Sequence, residues 1–128
     1  MPILLDMHAL LWWLADDPAL SPAASRLMAD PANTVLVSAA SAWEIATKVR
    51  IGKLPGAVAL VADFEGLLVR EGFETLAVSV DHAIRAGQLP GAHRDPFDRM
   101  LVAQALAENV PLISNEVVFD SFAVRRVW

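Results

Sequence analysis

The stretch PILLDMHALLWWL, residues 2–14, decides the fold class, because it joins a short apolar strand to an apolar helix through one acid. PILLD predicts a short buried strand that ends at Asp6, and the apolar run that follows predicts a helix. The same order returns at residues 34–49, where the β-branched TVLVS precedes a helical pattern. Strands that alternate with helices predict a parallel sheet with helices on both of its faces.

The rest of the chain continues this alternation. Its patterns predict helices at about 22–30, 57–70, 80–88 and 96–109, and strands at 73–78, 111–114 and, as an edge strand, 124–128. There is no internal repeat, no low-complexity tract and no sign of a domain boundary. We therefore expect a single α/β domain that spans residues 1–128.

Composition excludes several classes of protein. Hydrophobic residues make up 55% of the chain, yet no apolar run reaches the ~20 residues of a membrane helix, so we expect no membrane association. The absence of cysteine excludes disulfides, thiolate metal sites and cysteine nucleophiles, and favours a cytoplasmic location. The net charge of −5 argues against a broad basic face for nucleic acid. No phosphate-binding P-loop motif is present, which argues against an ATPase.

Four acids stand near the points where predicted strands end: Asp6, Glu44, Asp98 and Glu116. In an open parallel sheet, ligands bind in the crevice outside the carboxyl ends of the strands. Carboxylates gathered there repel one another, and a divalent cation removes that cost. Mg²⁺ and Mn²⁺ prefer carboxylate and water oxygens, and such ions activate water and stabilise charge on phosphate. The pattern indicates metal-assisted hydrolysis of a phosphate ester.

Each acid also has an ordinary structural explanation. Asp6 can be the N-cap of the helix that follows it, and Ser41 with Glu44 fits the S-x-x-E capping box. Asp95 can cap the next long helix, whose dipole favours a negative Asp98 in the first turn. Capping does not require a helix start after every strand on one edge, however. The recurrence at neighbouring strand ends favours a shared metal site.

Four segments, in this order over nearly the whole chain, carry a family resemblance: LLDMHALLWWL, SAASAWEIATKVRIGKL, HRDPFDRMLVAQA and LISNEVVF. They resemble a PIN domain and, more narrowly, a VapC-type toxin of a type II toxin–antitoxin pair. The resemblance implies a three-layer α/β/α sandwich around a mainly parallel sheet. It also implies an endoribonuclease that depends on Mg²⁺ or Mn²⁺, a cognate antitoxin that holds it inactive, and a homodimer.

The resemblance assigns metal-binding and catalytic roles position by position. Three acids of the family match Asp6, Glu44 and Asp98, and the fourth, usually aspartate, falls on Glu116. The extra methylene of Glu116 leaves three alternatives open: direct ligation, ligation through water, or help from Asp120.

Other residues are candidates for supporting roles. Asp95 is an additional acid that we expect to cap its helix and to support the metal ligands from outside. Ser114 matches a hydroxyl residue suited to contact phosphate or water, and Arg94 and Arg99, which flank the acidic helix start, are candidates to bind RNA phosphates. Weaker candidates, for which a solvated surface or simple packing is an equal or better explanation, are His8, His93, Lys48, Arg50 and Lys53.

Three tryptophans exceed the needs of one small core. Trp12 and Trp13 are successive, so they cannot face the same way on a helix, and we expect one to pack inward and the other to line a groove for a partner. Stacking on RNA bases is the rival use of the ring that faces outward. Two other functions remain open, a PIN-like interaction module without catalysis, for which Glu116 is the clue, and a small-molecule phosphohydrolase.

Overall fold

The computed structural model describes all 128 residues. Its five strands are β1 (Pro2–Leu5), β2 (Thr34–Ser38), β3 (Glu74–Leu76), β4 (Leu112–Ile113) and β5 (Arg126–Val127). All neighbouring pairs are parallel, in the order β3-β2-β1-β4-β5. The predicted parallel sheet is confirmed, and every predicted strand is present, although four of the five are shorter than expected.

Seven helices connect the strands. They are α1 (Met7–Leu14), α2 (Pro22–Ala29), α3 (Ala39–Arg50), α4 (Val58–Ala62), α5 (Phe64–Glu71), α6 (Val80–Gln88) and α7 (Pro96–Glu108). Short 3-10 turns cover Pro55–Ala57 and Val117–Ser121. None of the seven helices combines the length and the apolar character that a membrane crossing requires.

The alternation of side chains along β1 divides the core into two layers. Ile3 and Leu5 belong to a cluster built with α1 to α5, whereas Leu4 belongs to a second cluster with α7. Because both faces of the sheet are covered, its central strands β1 and β4 are apolar throughout rather than alternating with polar residues. The predicted three-layer α/β/α sandwich is confirmed.

The order of the strands places a switch point at the middle of the sheet. The chain moves outward from β1 through β2 to β3, and it then crosses back to place β4 on the other side of β1. The crevice above the carboxyl ends of β1 and β4 is the position where ligands bind in open sheets of this kind.

One predicted helix is two helices in the structure. The expected helix at 57–70 is divided at Asp63, whose backbone leaves the helical region with φ −146° and ψ 57°. The Asp63 carboxylate occupies the space beside Gly66 where a β-carbon would collide with it. Aspartate competes with helical backbone bonds, and glycine alone leaves it the room to do so.

Candidate active site

A narrow cleft of about 80 Å³ opens at the switch point between β1 and β4. Its lining includes all four acids at the predicted strand ends, together with Asp95: Asp6, Glu44, Asp98, Glu116, Met7, His8, Lys48, Asp95 and Leu101. Residues more than one hundred positions apart in the chain thus share one small space. The volume is enough for an ion and a few waters, each of which takes about 30 Å³.

Two of the acids are held in place by the helix starts that follow them. Asp6 ends β1 as the N-cap of α1, and its carboxylate accepts a hydrogen bond from the Ala9 N–H at 2.8 Å. Asp95 caps α7 by accepting from the N–H groups of Phe97 and Asp98, at 2.9 and 3.0 Å. Capping and a place in the cleft are therefore compatible, because a cap uses only part of the capacity of a carboxylate.

Glu44 reaches the cleft from the second turn of α3, and the capping box expected there is absent. The helix begins at Ala39, because Ser38 ends β2 and caps the helix through the Ala40 N–H at 3.0 Å. Ser41 is consequently inside the helix, buried and without a hydrogen-bond partner. Glu44 is buried as well, and its carboxylate accepts a hydrogen bond from Lys48 Nζ at 2.8 Å.

Glu116 lies at the mouth of the cleft and pairs with His8. Their closest atoms, Glu116 Oε1 and His8 Nδ1, are 3.4 Å apart. One ligand atom each from Asp6, His8 and Glu116 lies within 4.8 Å of the other two. Asp120 is not part of this group, because both of its oxygens accept hydrogen bonds from the Arg126 guanidinium, at 2.9 and 3.0 Å.

The acids of the cleft destabilise one another's charge. Burial raises the pKa of Asp98 to about 6; the carboxylates of Asp95, Glu116 and Glu44 add to the rise, and a hydrogen bond from His93 opposes it. Burial also raises the pKa of Asp6, although hydrogen bonds from Ser114 and from the Ala9 backbone lower it in part. The cleft has too little positive charge to offset the burial of the Asp6 and Asp98 carboxylates.

His93 has a more specific place than sequence reasoning gave it. Its Nε2 lies 2.8 Å from Asp98 Oδ2, and its ring packs edge-on against Phe122 with centroids 6.3 Å apart. The HR pair before Asp95 was a usable signal, but nothing in a sequence shows toward which acid a loop histidine turns. The structure makes His93 the partner that orients Asp98.

Arg99 is engaged elsewhere, so the expected contact with RNA phosphate is not supported. Its guanidinium donates to the main-chain carbonyls of Ala86, Leu89 and His93, which tie the loop before α7 to the helix. Arg94, in contrast, is exposed and forms no ion pair. Arg99 therefore shapes the loop that carries His93, and of these two arginines Arg94 is the one still available to a substrate.

Ser114 also differs from its expected role. Its side chain is fully buried, with 0% exposure, and its oxygen accepts a hydrogen bond from the Glu116 N–H at 3.0 Å. A hydroxyl in that position cannot contact a phosphate in solution. Ser114 instead supports Asp6 and the turn that carries Glu116.

Trp12, Trp13 and Trp43, three of the chain's four tryptophans, have three different environments. Trp13 packs against Phe73 and donates its indole N–H to Glu71 at 3.1 Å. Trp12 lines an apolar groove of about 440 Å³ beside α1, as expected for one member of the adjacent pair. Trp43 is 61% exposed.

The donor set of the cleft fits a hard divalent cation. Its ionisable metal-binding groups are carboxylates and one histidine, with no thiolate, and Mg²⁺ and Mn²⁺ favour carboxylate and water ligands. A cation would also remove the mutual repulsion that raises the pKa of Asp98. The residues present are therefore compatible with a metal centre.

A parallel α/β/α sandwich with acids gathered at the carboxyl edge of its sheet is the architecture of a PIN domain. The sequence profile described as "PIN domain" matches residues 3–124, and the chain belongs to this family. The chain is also 29% identical over 115 residues to Ribonuclease VapC22 of Mycobacterium tuberculosis. This alignment covers 89% of this chain and 86% of that protein.

Two solved structures share the fold. VapBC2 from Rickettsia felis, bound to a DNA fragment from its promoter, superposes with a TM-score of 0.70 at 18% identity, over 99% of this chain and 98% of that one. VapC20 from M. tuberculosis, a sarcin-ricin loop cleaving toxin, superposes with a TM-score of 0.59 at 18% identity, over 96% and 98% of the two chains. The resemblance to PIN domains and VapC toxins is confirmed.

Proposed function

We propose that this protein is an endoribonuclease that requires Mg²⁺ or Mn²⁺ and acts as the toxin of a toxin–antitoxin pair. The observation that carries the proposal is the convergence of Asp6, Glu44, Asp98 and Glu116 on one narrow cleft. The chain's membership of the PIN family and the ribonuclease named among its relatives support RNA as the substrate. The sarcin-ricin loop cleaving relative supports the same assignment.

The metal would be held by Asp6, Glu44, Asp98 and Glu116. When bound, such an ion lowers the pKa of a water and stabilises charge that builds on the phosphate oxygens. Asp6 and Glu44 are buried, so they keep a fixed direction toward the ion. Asp98 is oriented by His93, whose Nε2 lies 2.8 Å from Oδ2 of the carboxylate.

The more exposed residues at the mouth would handle substrate and protons. Glu116 has a side chain that is 37% exposed, so it can reach the ion through water and accept a proton from the attacking water. His8 lies beside it and can take part in that transfer. Arg94 is exposed and would bind a phosphate of the RNA backbone.

A partner protein forms the second half of the proposal. Solved relatives are toxin–antitoxin complexes, and we propose that a cognate antitoxin binds here and that the toxin forms a homodimer. The apolar groove that contains Trp12, Leu11 and Leu60 would receive apolar side chains of the antitoxin. Co-purification with the product of the neighbouring reading frame, and its loss in Trp12→Ala, would test this contact.

The nuclease proposal is tested by incubating the purified protein with RNA and with a phosphomonoester. Cleavage of RNA that requires Mg²⁺ or Mn²⁺ and stops with EDTA is the expected result. Activity on the phosphomonoester alone would indicate a small-molecule phosphohydrolase. Absence of both activities, with no binding of Mn²⁺ at millimolar concentration by calorimetry, would indicate an interaction module without catalysis.

A further inference from the structure

Glu116 is the least restrained of the four acids that meet in the cleft. The carboxylates of Asp6, Glu44 and Asp98 each take part in a hydrogen bond of 2.8 Å. The Glu116 carboxylate has no such bond, and its partner is the His8 imidazole, with Nδ1 at 3.4 Å. The direction of the Glu116 side chain therefore depends on where the His8 ring lies.

The His8 ring is held by a second aromatic ring on the same helix. Trp12 follows His8 by four residues on α1, and side chains four apart on a helix lie on the same face. The two ring centroids are 5.3 Å apart, with planes at 32°, a separation at which aromatic rings attract one another. Apart from Glu116, no hydrogen-bond or ion-pair partner reaches the imidazole.

Trp12 is in turn supported from another part of the chain. Its ring centroid lies 5.7 Å from that of Trp128, which directly follows β5 and packs against the larger hydrophobic cluster of the core. A row of three rings, His8, Trp12 and Trp128, thus connects the mouth of the cleft to the core. Trp12 does not line the cleft itself, so any effect it has on the acids passes through His8.

We propose that Trp12 is a positioning residue of the metal centre: its indole fixes the His8 ring, and His8 in turn fixes the Glu116 carboxylate. Groups that orient a metal ligand contribute to metal affinity without touching the ion. The inference rests on the proposed metal-dependent function and adds to it a residue outside the cleft that sets the geometry of one ligand.

The test is a double-mutant cycle on Mn²⁺ affinity, measured by calorimetry. We expect Trp12→Leu to weaken Mn²⁺ binding roughly three- to tenfold, because leucine keeps an apolar contact but has no flat ring to pack on His8. Trp12→Phe keeps a ring and should recover most of the affinity. In a His8→Ala background, Trp12→Leu should change the affinity by less than about twofold, since the residue through which it acts is gone.

Trp13→Leu is the matched control. Trp13 is the adjacent residue on α1, is half-buried like Trp12, and packs against Phe73 instead of His8. Both leucine variants should lose stability in urea unfolding, whereas only Trp12→Leu should lose Mn²⁺ affinity. Because Trp12 also lines the apolar groove, the chain is titrated without a partner protein, so that a lost partner is not mistaken for a misplaced ligand.

Trp128→Leu gives a second measurement, which decides the question if Trp12→Leu does not fold. It removes the support of Trp12 and leaves the indole in place, so it should weaken Mn²⁺ binding less than Trp12→Leu does but more than Trp13→Leu does. Far-UV circular dichroism establishes which variants are folded at the temperature of the titration.

Three outcomes would overturn the inference. A folded Trp12→Leu variant that binds Mn²⁺ as the parent does would remove Trp12 from the metal centre and leave the nuclease proposal intact. Equal weakening by Trp12→Leu and Trp13→Leu, or an undiminished effect in the His8→Ala background, would mean that Trp12 serves the fold alone. If the unaltered chain neither binds Mn²⁺ nor cleaves RNA, the proposed function fails, and the positioning role fails with it.

Discussion

The acidic cleft and a second polar cluster share helix α7, yet only the second cluster is satisfied by hydrogen bonds among its own groups. The second cluster, here called the glutamine cluster, consists of the buried Ser38, His82 and Gln104, with the exposed Ser79 at its edge. Gln104 is fully buried on α7, six residues after Asp98. It accepts a hydrogen bond from the Ser38 hydroxyl and donates to the Ala77 carbonyl at 3.3 Å.

The difference lies in the chemistry of the groups. Amide, hydroxyl and imidazole groups both donate and accept, so the glutamine cluster pairs internally and joins α6, α7 and β2. Ionised carboxylates only accept, so those in the cleft cannot satisfy one another and depend on a few neighbouring donors. A satisfied polar cluster specifies a fold, whereas an unsatisfied cluster of like charges creates a site for a cation.

The largest expected effect comes from removing charge from the cleft. Asp98→Asn or Asp6→Asn should lower RNA cleavage at least about 100-fold, because metal binding stabilises a transition state by several kcal/mol. The metal-free variants should remain as stable as the parent or become more stable, since a repelling charge is gone. Cleavage assays and urea unfolding without metal measure the two effects.

Asp98→Asn that still cleaves RNA at the parental rate would remove that residue from the mechanism. A marked loss of stability in the same variant would mean that the carboxylate serves the fold, as its neighbour Asp95 does in capping α7.

Gln104→Leu should have the opposite effect, a loss of stability without a loss of RNA cleavage. It leaves the Ser38 hydroxyl and the Ala77 carbonyl without their partner, and an unsatisfied buried polar group costs about 1–3 kcal/mol. The free energy of unfolding should fall by that amount, while cleavage per folded molecule stays close to that of the parent. Gln88→Leu makes the same chemical change at an exposed position and should change stability by less than about 0.5 kcal/mol.

His93 tests whether a hydrogen-bonding partner of one carboxylate affects metal binding by the acidic cluster. Loss of the group that orients a metal ligand commonly costs about 10- to 100-fold in metal affinity, so we expect His93→Ala to weaken Mn²⁺ binding by about tenfold. His93→Gln, which can still donate to Asp98, should recover part of it. Calorimetry measures both affinities; Arg94→Ala is the control, because it should change RNA binding without changing metal affinity.

The smallest expected effect is on the pH dependence of stability. The pKa of Asp98 is raised from an ordinary 3.8 to about 6 in the folded protein, so its protonated form favours folding. This contribution is complete below pH 3.8 and is lost as the pH rises through about 6. We therefore compare the melting temperatures of the metal-free parent and of Asp98→Asn. The difference, parent minus variant, should decrease as the pH is raised from 5 to 8. An unchanged difference would contradict the raised pKa.

Much of this architecture was predictable, because the strand and helix signals are local. The run from Ile3 to Leu5 is apolar, and Asp6 caps the helix after it, so residues within one turn of each other specify the element. The positions of Asp6 and Glu116 near the ends of β1 and β4 were likewise readable, but the expectation for Asp98 was wrong, because Asp98 lies in the first turn of α7 and the preceding element is the helix α6. The helix break at Asp63 was not, because the apolar spacing continues across it and the cause is a contact with Gly66.

The partners of the polar side chains could not be predicted. Arg99 and Arg94 have the same charge, and they are close in sequence, yet one ties a loop to α7 and the other is exposed. His8 was a weak candidate from sequence, and the structure brings its Nδ1 to 3.4 Å from Glu116. The partner of a long side chain depends on which groups lie within its reach. Distances between segments that are remote in the chain cannot be inferred from local sequence patterns.

By itself, the sequence determined the parallel α/β class, the order and type of most elements and the placement of Asp6 and Glu116 after strands, because hydrophobic periodicity and capping act over a few residues. Only the tertiary structure decided the strand order, the switch point between β1 and β4, and the pairing of His93 with Asp98. These depend on how distant segments pack, and the electrostatic environment that raises the pKa of Asp98 exists only once they have done so.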